Sequence, residues 1–177
     1  MIYSEKMYEL GSKRSAIREL FEYGKKQAAI IGAENVFDFS LGNPNVPAPK
    51  AVKQAILDIL DEEDELVLHG YTNSNAGYED VRQAVAESLN ERFGTAFAAK
   101  NITMTVGAAG GLNVILKALL NPGDEVLIPQ PSYVSYLPCV TLADGVPVII
   151  ELEEKDQFKL TPEKLLEKIT DKTKILV

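Results

Sequence analysis

From Thr105 to Leu112 the chain reads Thr-Val-Gly-Ala-Ala-Gly-Gly-Leu, with almost no side chains over residues 107–111. Residues this small let a ligand approach the backbone itself. Where such a stretch joins a strand to the first turn of a helix, that turn carries backbone N–H groups without helical partners. It also carries the positive end of the helix dipole, and the two together suit a phosphate. A tight strand-to-helix turn with no ligand satisfies the same residues, so the loop alone leaves both readings open. Two nucleotide loops drop out. No Gly-Lys-Ser or Gly-Lys-Thr ending occurs, and Gly107, Gly110 and Gly111 do not fall at the first, third and sixth positions of a dinucleotide fingerprint. A phosphate held here belongs to another kind of cofactor.

Other chemistry-bearing residues are sparse. His69 is the only histidine and Cys139 the only cysteine, so neither a histidine-rich nor a cysteine-based metal centre is expected, nor an internal disulfide. The run Asp61–Glu65 reads as a solvated, self-repelling surface segment, since adjacent acids seldom converge on one ion. Tyr133 follows Pro129-Gln130-Pro131, just past an apolar run, and Tyr71 sits in a loop rich in turn formers, Gly70–Gly77.

The elements that would position these residues follow from periodicity. Residues 1–14 read as an irregular arm. Ser15 caps a helix to about Ile31, stopped by Gly32, with Ile17, Leu20, Phe21 and Ala28 as its buried side. Val36–Leu41 alternates like a short strand, and Gly42–Pro47 is a loop. Pro49 opens the next helix, whose apolar stripe is Val52, Ala55, Ile56, Ile59 and Leu60. Another helix carries Val81, Ala84, Val85, Ser88 and Leu89 on one face and stops at Gly94. Ile102–Val106 reads as a strand. Leu112, Ile115, Leu116 and Leu119 recur at helical spacing until Asn121-Pro122-Gly123. Strands follow at Glu125–Ile128, Val146–Glu151 and Lys174–Val177, with helices near Val134–Ala143 and from Thr161-Pro162-Glu163. The alternation after Asn101 predicts an α/β domain with a mostly parallel sheet. Such sheets bind ligands beyond the carboxyl ends of their strands, where Gly107–Ala109 and Tyr133 are both expected.

A net charge of −8 argues against a nucleic-acid partner, and a hydrophobic fraction of 46% supplies a core. The apolar runs are too short to span a membrane and the N-terminus lacks a signal-peptide core, so a cytoplasmic protein is the expectation.

Gly70–Gly77, Thr105–Leu112, and Asn121–Val126 continuing to Pro131-Ser132-Tyr133 resemble the fold type I aminotransferases. These are pyridoxal 5'-phosphate (PLP) enzymes of the class I/II, aspartate-aminotransferase-like group. The resemblance runs from about Ser15 to Val177. It implies that the backbone of Gly107, Ala108 and Ala109 holds the cofactor phosphate and that Tyr133 stacks on the pyridine ring. It implies that the Tyr71 hydroxyl reaches the phosphate bound by the other subunit of a homodimer. Gly42 matches the glycine whose backbone meets the substrate carboxylate. The family often places a hydroxyl or amide side chain in the phosphate loop; Ala108 and Ala109 have none, so that grip is main-chain only.

The resemblance also implies a partial PLP-transferase fold, a three-layer αβα arrangement. Residues 1–48 match an N-terminal arm and part of a small domain, and 49–177 the first half of the large PLP-binding domain. The lysine that bonds PLP, the aspartate that pairs with the pyridine nitrogen and the arginine that binds the substrate carboxylate are expected beyond Val177. So the complete enzyme would move an amino group between an amino acid, aspartate being one candidate, and a 2-oxo acid, while this chain by itself is inactive. A PLP lyase or decarboxylase on the same scaffold, or a stand-alone non-catalytic binding module, remain alternatives.

Overall fold

The computed structural model describes residues 2–12, 15–42 and 44–177. Its chain divides into two units, Met1–Tyr71 and Thr72–Val177. Lys13 and Arg14 of the expected arm, Met1, and Asn43 of the expected loop lie outside the described residues.

The first unit is helical. Helices α1 (Glu5–Ser12), α2 (Ala16–Ile31), α3 (Lys50–Glu62) and α4 (Glu65–His69) follow one another. Two of them depart from the sequence expectation. The arm contains α1, and the acidic run leads into α4, where the Asp64 carboxylate accepts the Leu66 N–H at 2.8 Å and caps the helix start. Helix α2 has the expected bounds, but Leu20 is exposed while Ile17, Phe21 and Ala28 are half-buried. The α3 stripe is regular yet open: Val52, Ile56, Ile59 and Leu60 are all exposed.

Val36–Leu41 is not a strand. The Asp38 carboxylate accepts both the N–H (2.8 Å) and the hydroxyl (2.6 Å) of Ser40, a local turn that competes with a ladder. These bonds, the hydroxyl first, hold the Asp38 carboxyl below its usual range. Phe39 is left 94% exposed.

The second unit holds the sheet. Strands β1 (Glu125–Gln130), β2 (Val146–Glu151) and β3 (Thr173–Leu176) lie in the order β2-β1-β3, all parallel. Helices α5 (Glu79–Phe93), α6 (Gly107–Leu119), α7 (Tyr136–Leu142) and α8 (Pro162–Leu166) flank or connect them. This is the expected α/β architecture. The register runs from Glu125 against Val146 to Gln130 against Glu151, so β1 continues two residues past Ile128. Helix α7 begins at Tyr136, two residues later than expected.

The core forms where Leu116 and Leu120 of α6 and its end meet Val126 and Ile128 of β1 and Cys139, Val140 and Ala143 of α7. Val126 and Ile128 are two apart and therefore share one face of the sheet. Each large apolar side chain buried here contributes about 1.5–3 kcal/mol. Polar groups fix the ends. Asp124 accepts the Asn121 N–H at 2.8 Å and pairs with Lys174 of β3 at 3.0 Å. The Glu125 carboxylate accepts the hydroxyls of Thr170 (2.6 Å) and Thr173 (3.3 Å). Thr161 caps α8, with Pro162 as its first residue.

Two expectations fail in this unit. Ile102–Val106 is not a strand: Ile102 has extended dihedrals, φ −110° and ψ 134°, but no strand among the described residues pairs with the segment. And α5 buries Arg82 and Ala86, with Val85 and Leu89 half-buried, whereas Val81, Ala84 and Ser88 of the expected face are exposed. The buried stripe is 82, 85, 86 and 89, rotated from the apolar reading because the Arg82 guanidinium finds carbonyl partners inside. Among the described residues no helix is long and apolar enough to cross a membrane.

Candidate functional site

The site residues of the second unit sit where a helix begins and a strand ends. Gly107 opens α6 with φ 70°, a left-handed conformation that would cost an L-residue about 1–2 kcal/mol. A Cβ built on Gly107 meets nothing within 4 Å, so the space over the loop is open. Gly111 differs, because its Cβ would come within 3.1 Å of the Thr105 hydroxyl oxygen. Smallness at 107 thus serves conformation and approach, and at 111 it serves packing.

The helix start has no side-chain cap and no acidic residue in its first turn. The Gly107 N–H donates to the Thr105 carbonyl at 3.0 Å, and the Thr105 hydroxyl donates to the Gly107 carbonyl at 3.1 Å. These bonds close the turn at 105–107; the N–H groups of Ala108 and Ala109 follow in the first turn of the helix, where backbone donors lack intrahelical partners. Donors at an open N-terminus with no carboxylate beside them suit an anion.

Tyr133 stands three residues past the end of β1 and is 53% exposed. Its ring meets that of Tyr136 edge-on, with centroids 5.5 Å apart and planes at 84°. The Tyr136 N–H also donates to the Tyr133 carbonyl at 3.1 Å. The ring rests against Tyr136 and stays half exposed, so it retains surface that a flat aromatic ligand could use.

The lengths of α6 and β1 argue that the start of α6 and Tyr133 share one end of the sheet. Leu112, Leu116 and Leu120 pack along the β1 core, and the turn Asn121–Asp124 joins the end of α6 to the start of β1. A helix of 13 residues runs roughly 20 Å. A strand of six runs about as far. The start of α6 therefore returns to the carboxyl end of β1, the side on which parallel sheets take ligands.

Gly42 and Tyr71 belong to the first unit. Gly42 is exposed, with nothing within 4 Å of a built Cβ, and the Tyr71 side chain is fully exposed. His69 ends α4, and Cys139 is buried and free. Among the described residues no three His, Cys, Asp or Glu side chains converge in a way that could hold a metal ion. The residue that sequence reading missed is Arg82, buried to 8% exposure and bonded to the carbonyls of Gly77 (3.1 Å) and Ala99 (2.8 Å). Hydropathy assigns arginine to the solvent face, so only a search for its carbonyl partners could have found it.

A helix start without a side-chain cap and a half-exposed aromatic ring are features that a flat cofactor carrying a phosphate would use. Comparison with known proteins points the same way. Residues 34–177 match the family described as aminotransferase class I and II. An aspartate aminotransferase of Pyrococcus horikoshii is 38% identical over 167 residues, 93% of this chain and 39% of that protein. The crystal structure of an amino transferase from Eubacterium rectale superposes with a TM-score of 0.93 at 44% identity, covering 99% of this chain and 44% of its own. Aspartate aminotransferase from Thermus thermophilus with maleate gives a TM-score of 0.82 at 27% identity, covering 99% and 44%. The chain thus spans about two-fifths of the length of the relatives it matches. On the match over residues 34–177 and the fold that carries it, the chain belongs to the aminotransferase class I and II family.

Proposed function

We propose that the whole protein, to which these 177 residues contribute the phosphate- and ring-binding part, is a PLP-dependent aminotransferase. It moves an amino group between an amino acid, aspartate being the first candidate, and a 2-oxo acid. What supports this reading is the uncapped start of α6 together with the half-exposed Tyr133 ring just past the end of β1. When bound, PLP supplies the electron sink for the amino-group chemistry; the protein supplies binding, orientation and electrostatics.

In this reading the Ala108 and Ala109 N–H groups bind the phosphate, and Gly107 lets it approach. Tyr133 covers one face of the pyridine ring. The Tyr71 hydroxyl reaches the phosphate held by the partner subunit of a homodimer, which its full exposure favours. The Gly42 backbone meets the substrate carboxylate. Residues 1–48 serve as arm and small-domain part, and 49–177 as the first half of the large domain. The proposed setting is cytoplasmic.

The test is made on the complete protein. It is titrated with PLP, reduced with borohydride and mapped for label by mass spectrometry, while amino-acid and 2-oxo-acid exchange is followed above a free-PLP control. One lysine outside residues 1–177 labelled stoichiometrically, with exchange above the control, is the expected result. Stoichiometric labelling of a lysine within these residues, with turnover lost on its replacement, would overturn the assignment of the chemistry to the remainder of the protein. PLP uptake without exchange in the complete protein would favour a binding module.

A further inference from the structure

We propose that Arg82 is a positioning residue that sets the phosphate loop, a role that rests on the cofactor reading above. The segment 102–106 delivers Gly107 to its place, yet no strand ladder among the described residues holds it. The chain leading into it is tied to α5. The Arg82 side chain is enclosed and donates from Nε to the Gly77 carbonyl at 3.1 Å and from a terminal nitrogen to the Ala99 carbonyl at 2.8 Å. Gln83 adds a bond from the Ala99 N–H to its side-chain oxygen at 3.2 Å. About two turns further along the helix, Asn90 clamps Phe97 through both its N–H (2.7 Å) and its carbonyl (2.8 Å). The residues just before the segment are thereby fastened to one helix.

The same guanidinium reaches the other side of the segment. Gly77, which Arg82 holds, lies against Met104: a Cβ on Gly77 would come within 2.7 Å of Met104 Cγ. Gly77 also has φ 99°, which an L-residue adopts only under strain. The Met104 N–H donates to the Ala76 carbonyl at 2.9 Å. So one cation links the chain before the segment, at Ala99, to the turn that braces its middle, at Gly77. A planar fork with several fixed donors can join two carbonyls in this way; an ammonium lacks that geometry. Three residues beyond Met104 the phosphate loop begins. Moving the segment moves the Ala108 and Ala109 N–H groups, and leaves Tyr133, which is carried by β1, where it is.

That separation sets the experiment. In the complete protein, dissociation constants for PLP and for pyridoxal, which lacks the phosphate, are measured for wild type, Arg82→Met, Arg82→Lys and Gly77→Ala, with melting temperatures alongside. Arg82→Met should weaken PLP about tenfold or more while pyridoxal changes by less than about threefold, and Arg82→Lys should recover part of the difference. Gly77→Ala, which pushes on Met104 from the other side, should shift the PLP-to-pyridoxal ratio in the same direction. Equal losses for the two ligands, or an unchanged ratio, would mean that Arg82 only stabilises the fold and would overturn the proposal. If Arg82→Met yields no folded protein, Arg82→Lys and Gly77→Ala decide, and an unchanged ratio in both overturns it. A wild type that binds PLP no better than pyridoxal would sink the cofactor reading and this inference with it; an unchanged ratio against a wild type that prefers PLP sinks the inference alone.

Discussion

Replacing Tyr133 by alanine in the complete protein removes the ring on which the pyridine is proposed to lie, and the structure sets the size of the effect. An aromatic side chain presents about 150–250 Å². With Tyr133 at 53% exposure, roughly 100 Å² is open, of which one ring face is about half. Covering about 50 Å² at about 25 cal/mol/Å² contributes about 1 kcal/mol. Stacking adds on the order of 1 kcal/mol beyond burial. The sum, about 2 kcal/mol, is about a 30-fold weaker Kd for PLP. Tyr133→Phe keeps the face and its edge-on contact with Tyr136, and should stay within about threefold of wild type. Spectroscopic titration of both variants, with melting temperatures as a control for folding, measures the two losses. Equal losses for alanine and phenylalanine would show that the hydroxyl, not the ring, carries the contact. An alanine variant that binds like wild type would remove Tyr133 from the site.

Other expectations follow from the core, the acid groups and the exposed tyrosine. Ile128, 1% exposed in the central strand, should lose about 2–5 kcal/mol on replacement by alanine and about 0.5–1.5 by valine, read from urea unfolding; near-equal effects would mean that the core around β1 collapses into the space. The Asp124 carboxyl is held below its usual range by the Asn121 N–H and then by Lys174. A lowered folded-state value means stabilisation that is present above the usual carboxylate range and lost as pH falls through the lowered value. Asp124→Asn should therefore be less stable than wild type at neutral pH, with the gap closing in acid; a gap unchanged near about pH 3 would refute the assignment. In the complete protein, Tyr71→Phe should weaken PLP by roughly tenfold to a hundredfold, the loss of one hydrogen bond to a charged group, without altering a dimeric sedimentation profile. A monomeric, fully active protein would rule out its role across a subunit interface.

Much of this chain was legible from local chemistry. The bounds of α2, the stop at Asn121–Gly123, the cap at Thr161-Pro162 and strand β2 match their sequence signals, because each depends on residues a few positions apart, whereas residues 107–111, read as a loop ahead of the helix, are the first residues of α6 itself. The parallel sheet followed from the alternation of strand and helix, and the family from three motifs in order.

What local patterns could not decide was who pairs with whom. Val36–Leu41 and Ile102–Val106 have strand-like composition, but a strand exists only if another lies beside it. In the first, the Asp38 carboxylate bends the backbone instead; in the second, the Met104 N–H bonds the Ala76 carbonyl, and the residues just before the segment are tied to α5. The apolar stripe of α3 is regular and still open to solvent, since periodicity defines a face and not its cover. Helix α5 makes the point most sharply. Its hydropathy selects Val81, Ala84, Val85, Ser88 and Leu89, and of these only Val85 and Leu89 join the buried stripe, which turns on Arg82 because carbonyls 5 residues before it and 17 after it enclose the guanidinium. A charge is buried where its partners converge, and convergence over such separations is a property of the folded chain.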